Sequence, residues 1–385
     1  MSSLLVKDSP RAAGLRTLTD DPAQSYTLPA WAYLDPKVYE QEKRKVFYRS
    51  WQYAGWVGEV AEPGQYITAS VIDQSVIIIR DAAGELRGFH NVCQHRGHQL
   101  LTGCGRANTI VCPYHAWVYR NDGTLRNARG ADTAPGFEHE LFSLKPVNVE
   151  VVADKFVFFN LDLDAPPFID QIGDLIEDLR REVPDFDQLQ RVSANERSSD
   201  FAMFPLEANW KIVMDNFLEC YHCQNAHRGL ASDVIMTDYQ NTVHGLWSKQ
   251  KGPTRAEDGA NILFWTIFPN ITFVSRSGGR PRLIVGNFAV PDGPGRTVAG
   301  AHDLYRVPGD EDGVDLFPGW GPVGLEDKSI CESVQRGLAS LGYDTGRLVY
   351  DPLHGQVTEE AVHDFHRRLA ELLELDLSAA GPTGG

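Results

Sequence analysis

Between residues 88 and 120 the chain reads GFHNVCQHRGHQLLTGCGRANTIVCPYHAWVYR, with three cysteines and four histidines in 33 positions. Soft ligands at this density point to a bound metal, and so to two loops that must face each other. The pattern is Cys93-x-His95, sixteen intervening residues, then Cys112-x-x-His115. Each pair falls at the tip of an expected strand pair and presents one sulfur and one nitrogen. A Cys2His2 zinc ribbon accepts the same four atoms, but zinc pairs more often set two cysteines before two histidines. One of each per loop suits a two-iron cluster, with thiolates on one iron and neutral imidazoles on the other. Replacing two thiolates by imidazoles removes negative charge and raises the reduction potential.

The surrounding sequence predicts how these loops are carried. A length of 385 residues suggests about two domains. A helix is expected over 35–51, from an Asp-Pro start with apolar residues on one face. The period then changes to two, and SVIIIR, GELRGFHNV, TIVCPY, AWVYRNDGTL and VEVVADKFVFFNL read as short strands joined by Gly, Asn and Asp turns. Residues 47–162 thus read as an all-β unit and 1–46 as an N-terminal segment. A helix over 166–183 opens a second region, 163–378, followed by a flexible tail, 379–385. That region mixes strands with helices without βαβ alternation, with two closing helices near 327–341 and 358–375. The fold class is therefore α+β.

A second constellation lies in NFLECYHCQNAHRG, which holds Glu219, His222 and His227. The two histidines are five apart, so a regular helix would turn them about 140° from each other. The helix must bulge or end between them if both bind one metal. Two histidines and a carboxylate on one face, with positions left open for dioxygen, make a non-haem Fe(II) site. LEDKSICESVQRGL offers Glu326, Asp327 and Glu332 as the third ligand, and the pattern does not choose among them. Zinc bound through Cys220, His222 and Cys223 is an alternative, but it crowds three ligands into four residues. On the iron reading Cys220 and Cys223 are expected to point away.

CQHRGHQLLTG followed by CPYHAWVYRNDGTL resembles the signature of the Rieske [2Fe–2S] domain. NWKIVMDNFLECYHCQNAH and CESVQRGL resemble the catalytic α subunits of Rieske non-haem iron oxygenases, from about Trp31 to Leu375. The resemblance implies an all-β Rieske domain joined to an antiparallel-sheet and helix catalytic domain of the helix-grip type. It implies Cys93 and Cys112 on one cluster iron, and His95 and His115 on the other. Cys104, His90 and His98 then fall outside the motif. It also implies His222, His227 and Asp327 on a mononuclear Fe(II), with Glu219 as the bridge between metal centres. Glu219 in ECYHC, with ESVQRGLASLGYDTGRL, is nearest the branch that oxidises carnitine, glycine betaine and stachydrine. The implied assembly is a homotrimer in which one subunit's cluster serves its neighbour's iron.

The remaining expectations concern partners and substrate. No G-x-G-x-x-G opens a helix after a strand, so electrons are expected from a separate flavin and iron–sulfur reductase, with O2 and a small molecule as substrates. A formal charge of −16 disfavours nucleic acid and anionic membranes. No signal peptide or membrane span is visible, which suggests the cytoplasm. Six cysteines do not look like a disulfide framework. Trp247, Phe264, Trp265 and Phe268 are candidate pocket aromatics, whose faces attract cations such as trimethylammonium. Arg276, Arg280 and Arg282 are candidate partners for a substrate carboxylate, and an aromatic acid is the competing substrate.

Overall fold

A computed structural model describes residues 17–131, 133–192, 204–278, 281–300, 303–309 and 323–377. Part of the N-terminal segment, the tail and Arg280 lie outside the described residues. An antiparallel seven-stranded sheet runs Gln52–Trp56, Phe156–Asn160, Pro146–Val152, Leu86–His90, Gln74–Arg80, Gln65–Val71, Cys104–Arg106 in spatial order. A three-stranded sheet, Ile110–Val111, Val118–Tyr119 and Leu125–Asn127, lies beyond it. Ile77, Ile79 and Phe89 of the large sheet pack against Ile110, Trp117 and Tyr119 of the small one and its loops. This layer buries Cys93 and Cys112 and holds the two loops at one end. Gly123 makes its hairpin turn at φ +87, where a Cβ would sit 2.3 Å from Phe89, so only glycine closes this turn without displacing the core.

The second region is built on another antiparallel sheet. Its order is Gln190–Arg191, Asp303–Arg306, Arg282–Asn287, Ile271–Arg276, Asn261–Ile267, Trp247–Pro253, Gln240–His244. Alternation assigns the faces. Leu263, Trp265 and Ile267 enter one core with Leu175, Ile176 and Leu179, whereas Ile262 and Phe264 join apolar clusters on the opposite side. The helix expected over 166–183 is two helices, α3 (Phe168–Gln171) and α4 (Leu175–Glu182), because Gly173 between them is left-handed at φ +55.

The N-terminal helices α1 (Ala30–Leu34) and α2 (Pro36–Lys45) share a core with α5 (Trp210–Phe217), α8 (Val323–Leu338) and α9 (Glu360–Leu373). Two further short helices, α6 (Cys223–Ala226) and α7 (Arg228–Asp233), lie between α5 and α8 in the chain. A buried ion pair fixes α2 to α5, with Lys211 Nζ 2.5 Å from Glu42 Oε1 and Trp210 Nε1 donating to Glu42 Oε2 at 2.9 Å. Pairing and hydrogen bonding offset the desolvation of both charges. The two regions are also joined directly. Tyr53 exchanges backbone hydrogen bonds with the Asn287 amide, and its hydroxyl donates to Asp303, which Arg191 also binds.

Candidate metal centres

The first centre sits at the tips of two turns. Cys93 and Cys112 are each 2% exposed, while His95 and Tyr114 lie at the surface. Local hydrogen bonds shape the loops: Cys93 N–H donates to His98 O, Gly97 N–H to Cys93 O, and Ala116 N–H to Cys112 O. Ala116, just after His115, is left-handed at φ +57, an uncommon conformation for alanine that this turn enforces. The His95 and His115 rings lie 4.6 Å apart, and His95 stacks on Trp117 at 4.7 Å and 9°. Burial, with His95 and Arg96 nearby, lowers the His115 pKa, which favours the neutral imidazole a metal needs. Two buried sulfurs and two outward imidazoles at one tip thus fit a two-iron cluster. Tyr119, which the sequence pattern did not single out, accepts from Gln94 N–H at 3.0 Å and lies 3.2 Å from Cys93 Sγ. Its hydroxyl proton is therefore free to point at sulfur.

The second centre is made where α5 stops. Asn209 caps its start, accepting from Lys211 N–H, and the helix ends at Phe217. Glu219 provides a local reason: its carboxylate accepts the Tyr221 and His222 amides, competing with the helical ladder. The turn then re-forms as α6 and breaks again at His227, whose φ of −117 and ψ of 83 are non-helical. The expected interruption between the histidines is present, and it leaves His222 Nε2 and His227 Nε2 3.1 Å apart. Glu219 reaches His222 through this irregular turn, not along a regular helix, with Oε1 2.5 Å from Nδ1.

Asp327, in the first part of α8, completes the group. Its Oδ1 lies 3.0 Å from His227 Nε2 and 3.4 Å from His222 Nε2. That buried oxygen accepts no hydrogen bond of good geometry. The other nitrogens face carboxylates, His222 Nδ1 meeting Glu219 and His227 Nδ1 meeting Glu326 Oε2 at 2.8 Å. With protons held at both Nδ1 atoms, three lone pairs converge, which needs a cation between them. Burial alone would depress the His222 imidazole, but Asp327 and Glu219 outweigh it and push its pKa up to about 9. His222, His227 and Asp327 could hold a single ion in the two-histidine, one-carboxylate arrangement. Glu332 stands apart, paired with Lys328 at 3.0 Å.

Several expectations around the site need correction. Cys220 and Cys223 form a disulfide, buried with Leu230, Val234, Met236 and Tyr239. The small number of cysteines did not suggest it, although the C-x-x-C spacing carried the signal. Of the candidate aromatics, Phe264 packs among the apolar residues beside the metal turn, edge-on to Phe217 at 5.8 Å. Trp247 and Trp265 belong to the opposite core, where Trp265 Nε1 donates to Asp178. Phe268 packs beside Phe365 in the large helical core. Period two made these aromatics look equivalent, but alternation sends neighbours to opposite faces. Arg276 pairs with Asp258 at 3.1 Å, and Arg282 is buried and donates to Pro281 O.

A cavity of about 220 Å³ opens beside Glu219 and His222, with Asp215, Glu359, Tyr33 and Cys331 in its wall. Asp215 accepts from the Tyr33 hydroxyl at 2.7 Å and contacts His366 Nε2 at 2.8 Å. No described helix is long and apolar enough to cross a membrane.

A model of the Rieske [2Fe-2S] domain matches residues 50–145. A model of the ring hydroxylating alpha subunit catalytic domain matches residues 186–245 and 231–375. The chain is 35% identical to the carnitine monooxygenase oxygenase subunit of Acinetobacter pittii, over 91% of this chain and 96% of the relative. It is 32% identical to the chloroplastic choline monooxygenase of Beta vulgaris, over 92% of this chain and 78% of that protein. A solved quaternary ammonium Rieske monooxygenase in complex with L-carnitine superposes with a TM-score of 0.77 at 33% identity, covering 91% of this chain and 97% of the other.

Proposed function

We propose, for a chain that belongs to the quaternary-ammonium branch of the Rieske non-haem iron oxygenases, that it hydroxylates a small quaternary ammonium compound beside nitrogen and so cleaves a C–N bond. The family carries a Rieske cluster and a mononuclear iron. When bound, the cluster supplies single electrons and the iron activates O2 for insertion into a C–H bond. Cys93, His95, Cys112 and His115 would hold the cluster; His222, His227 and Asp327 would hold the iron. The observation that carries the second assignment is the clustering of His222 Nε2, His227 Nε2 and the buried Asp327 Oδ1, 3.0 to 3.4 Å from one another.

The side chains around the iron site have separate tasks. Glu219 keeps the His222 proton on Nδ1, so that Nε2 faces the metal. Its position on the cavity wall suits a bridge to the cluster of a neighbouring subunit in a homotrimer. The Rieske tip, with His95 and Tyr114 exposed, is shaped to reach outwards. Phe264 and Phe217 would offer aromatic faces to a substrate cation. Electrons would come from a flavin and iron–sulfur reductase in the cytoplasm, for which an acidic chain suits a basic docking face.

The test is oxygen uptake with a competent reductase across a panel of betaines, choline and small aromatic acids. A quaternary ammonium compound should couple uptake to an aldehyde product. Uptake driven only by a benzoate-like acid, with ring hydroxylation, would sink this reading. Under saturating Fe(II), Glu219→Ala should retain both metals yet lose about 10–100-fold or more in turnover.

A further inference from the structure

The His227 ring is 1% exposed and sits at the break between α6 and α7, where no regular helix fixes its orientation. Its two nitrogens meet two consecutive residues of α8, with Nε2 3.0 Å from Asp327 Oδ1 and Nδ1 2.8 Å from Glu326 Oε2. A carboxylate can only accept, so Glu326 places the ring proton on Nδ1 and leaves the Nε2 lone pair facing His222 and Asp327. A flipped ring would turn a C–H towards Glu326 and withdraw that lone pair. Among the described residues, the Glu326 carboxylate makes no other hydrogen bond or ion pair.

Glu219 performs the same task for His222, but it comes from the same turn and also binds two backbone amides. Glu326 reaches across 99 positions of sequence and is 36% exposed on its side chain. We infer that Glu326 is the positioning residue of His227, and that by clamping this ring from α8 it sets the metal affinity of the mononuclear site. This rests on reading His222, His227 and Asp327 as the ligands. Glu326 then holds geometry alone, whereas Glu219 holds geometry and faces the cavity as well.

The experiment titrates Co(II) into chain whose mononuclear site has been emptied with a chelator while the Rieske cluster is retained. Dissociation constants come from equilibrium dialysis of wild type, Glu326→Ala, Glu326→Gln and Asp327→Ala. The visible spectrum of the cluster reports that each variant is folded. Glu326→Ala should bind Co(II) about 10–100-fold more weakly. Glu326→Gln should stay within about threefold of wild type, because its amide oxygen still accepts from Nδ1–H. Wild-type affinity in Glu326→Ala would overturn the inference, and so would a glutamine variant as weak as the alanine one. Wild-type chain that binds Co(II) no better than Asp327→Ala would instead overturn the ligand assignment.

Discussion

At the Rieske tip all four candidate ligands arise between Cys93 and His115, in two loops shaped by hydrogen bonds to near neighbours. At the mononuclear site two histidines come from a broken helix, and two carboxylates, Asp327 and Glu326, arrive from α8 about a hundred positions later. The first site needs its β layer; the second needs the helical core that sets α8 against α5. The two cores meet on opposite faces of the large sheet, with Ile77 and Ile79 on the Rieske side and Val76 and Ile78 on the helical side. Loss of a metal ligand at one site leaves this shared strand packed, and so should leave the other site intact.

The strongest break of this comparison is removal of a ligand from either side. His115→Ala should abolish the visible absorption and the Rieske EPR signal while leaving Co(II) binding at the other site unchanged. Loss of both together would show that the sites are not separate. Asp327→Ala should do the reverse, with iron falling from about three to about two per chain because the triad holds one ion. Full iron and activity in that variant would move the third ligand elsewhere.

A finer test concerns how the Rieske surroundings tune electron supply. The Tyr119 hydroxyl lies 3.2 Å from Cys93 Sγ, and a hydrogen bond to sulfur favours the more negative, reduced cluster. Tyr119→Phe should lower the potential by several tens of millivolts, since about 59 mV corresponds to a tenfold change for one electron. An unchanged voltammetric midpoint would remove Tyr119 from the tuning set. Neither metal content nor the mononuclear site should respond.

The smallest effect lies in the cavity wall. Burial, with Glu219 and Asp215 nearby, pushes the Glu359 carboxyl from 4.5 up to about 7, although Val349 N–H opposes the shift. The folded chain thus binds this proton more tightly than the unfolded one. Its stabilising contribution is full below about pH 4.5 and is lost as pH rises to about 7. Glu359→Gln removes that slope. Between pH 5.5 and 8 its melting temperature should fall less than that of wild type. The difference should be about 2 °C, from roughly 1 kcal/mol after allowance for solvent screening. Parallel melting curves would show that Glu359 titrates as an ordinary surface acid.

What the residues alone made legible was mostly local. The Cys-x-His and Cys-x-x-His spacing singled out four candidate ligands, because metal loops keep their donors close in sequence. The five-residue gap between His222 and His227 forecast a helix break, because helix geometry is periodic. Tertiary structure decided what depends on contacts between distant segments or on which way a strand faces. It set Asp327 and Glu326 on the two nitrogens of one ring, a choice the LEDK sequence leaves open until α8 is docked. It separated Phe264 from Trp265, since adjacent strand residues look identical in composition and point to opposite sides of the sheet. The Cys220–Cys223 disulfide is the local exception, since its partners stand three positions apart and the C-x-x-C spacing is readable in the sequence.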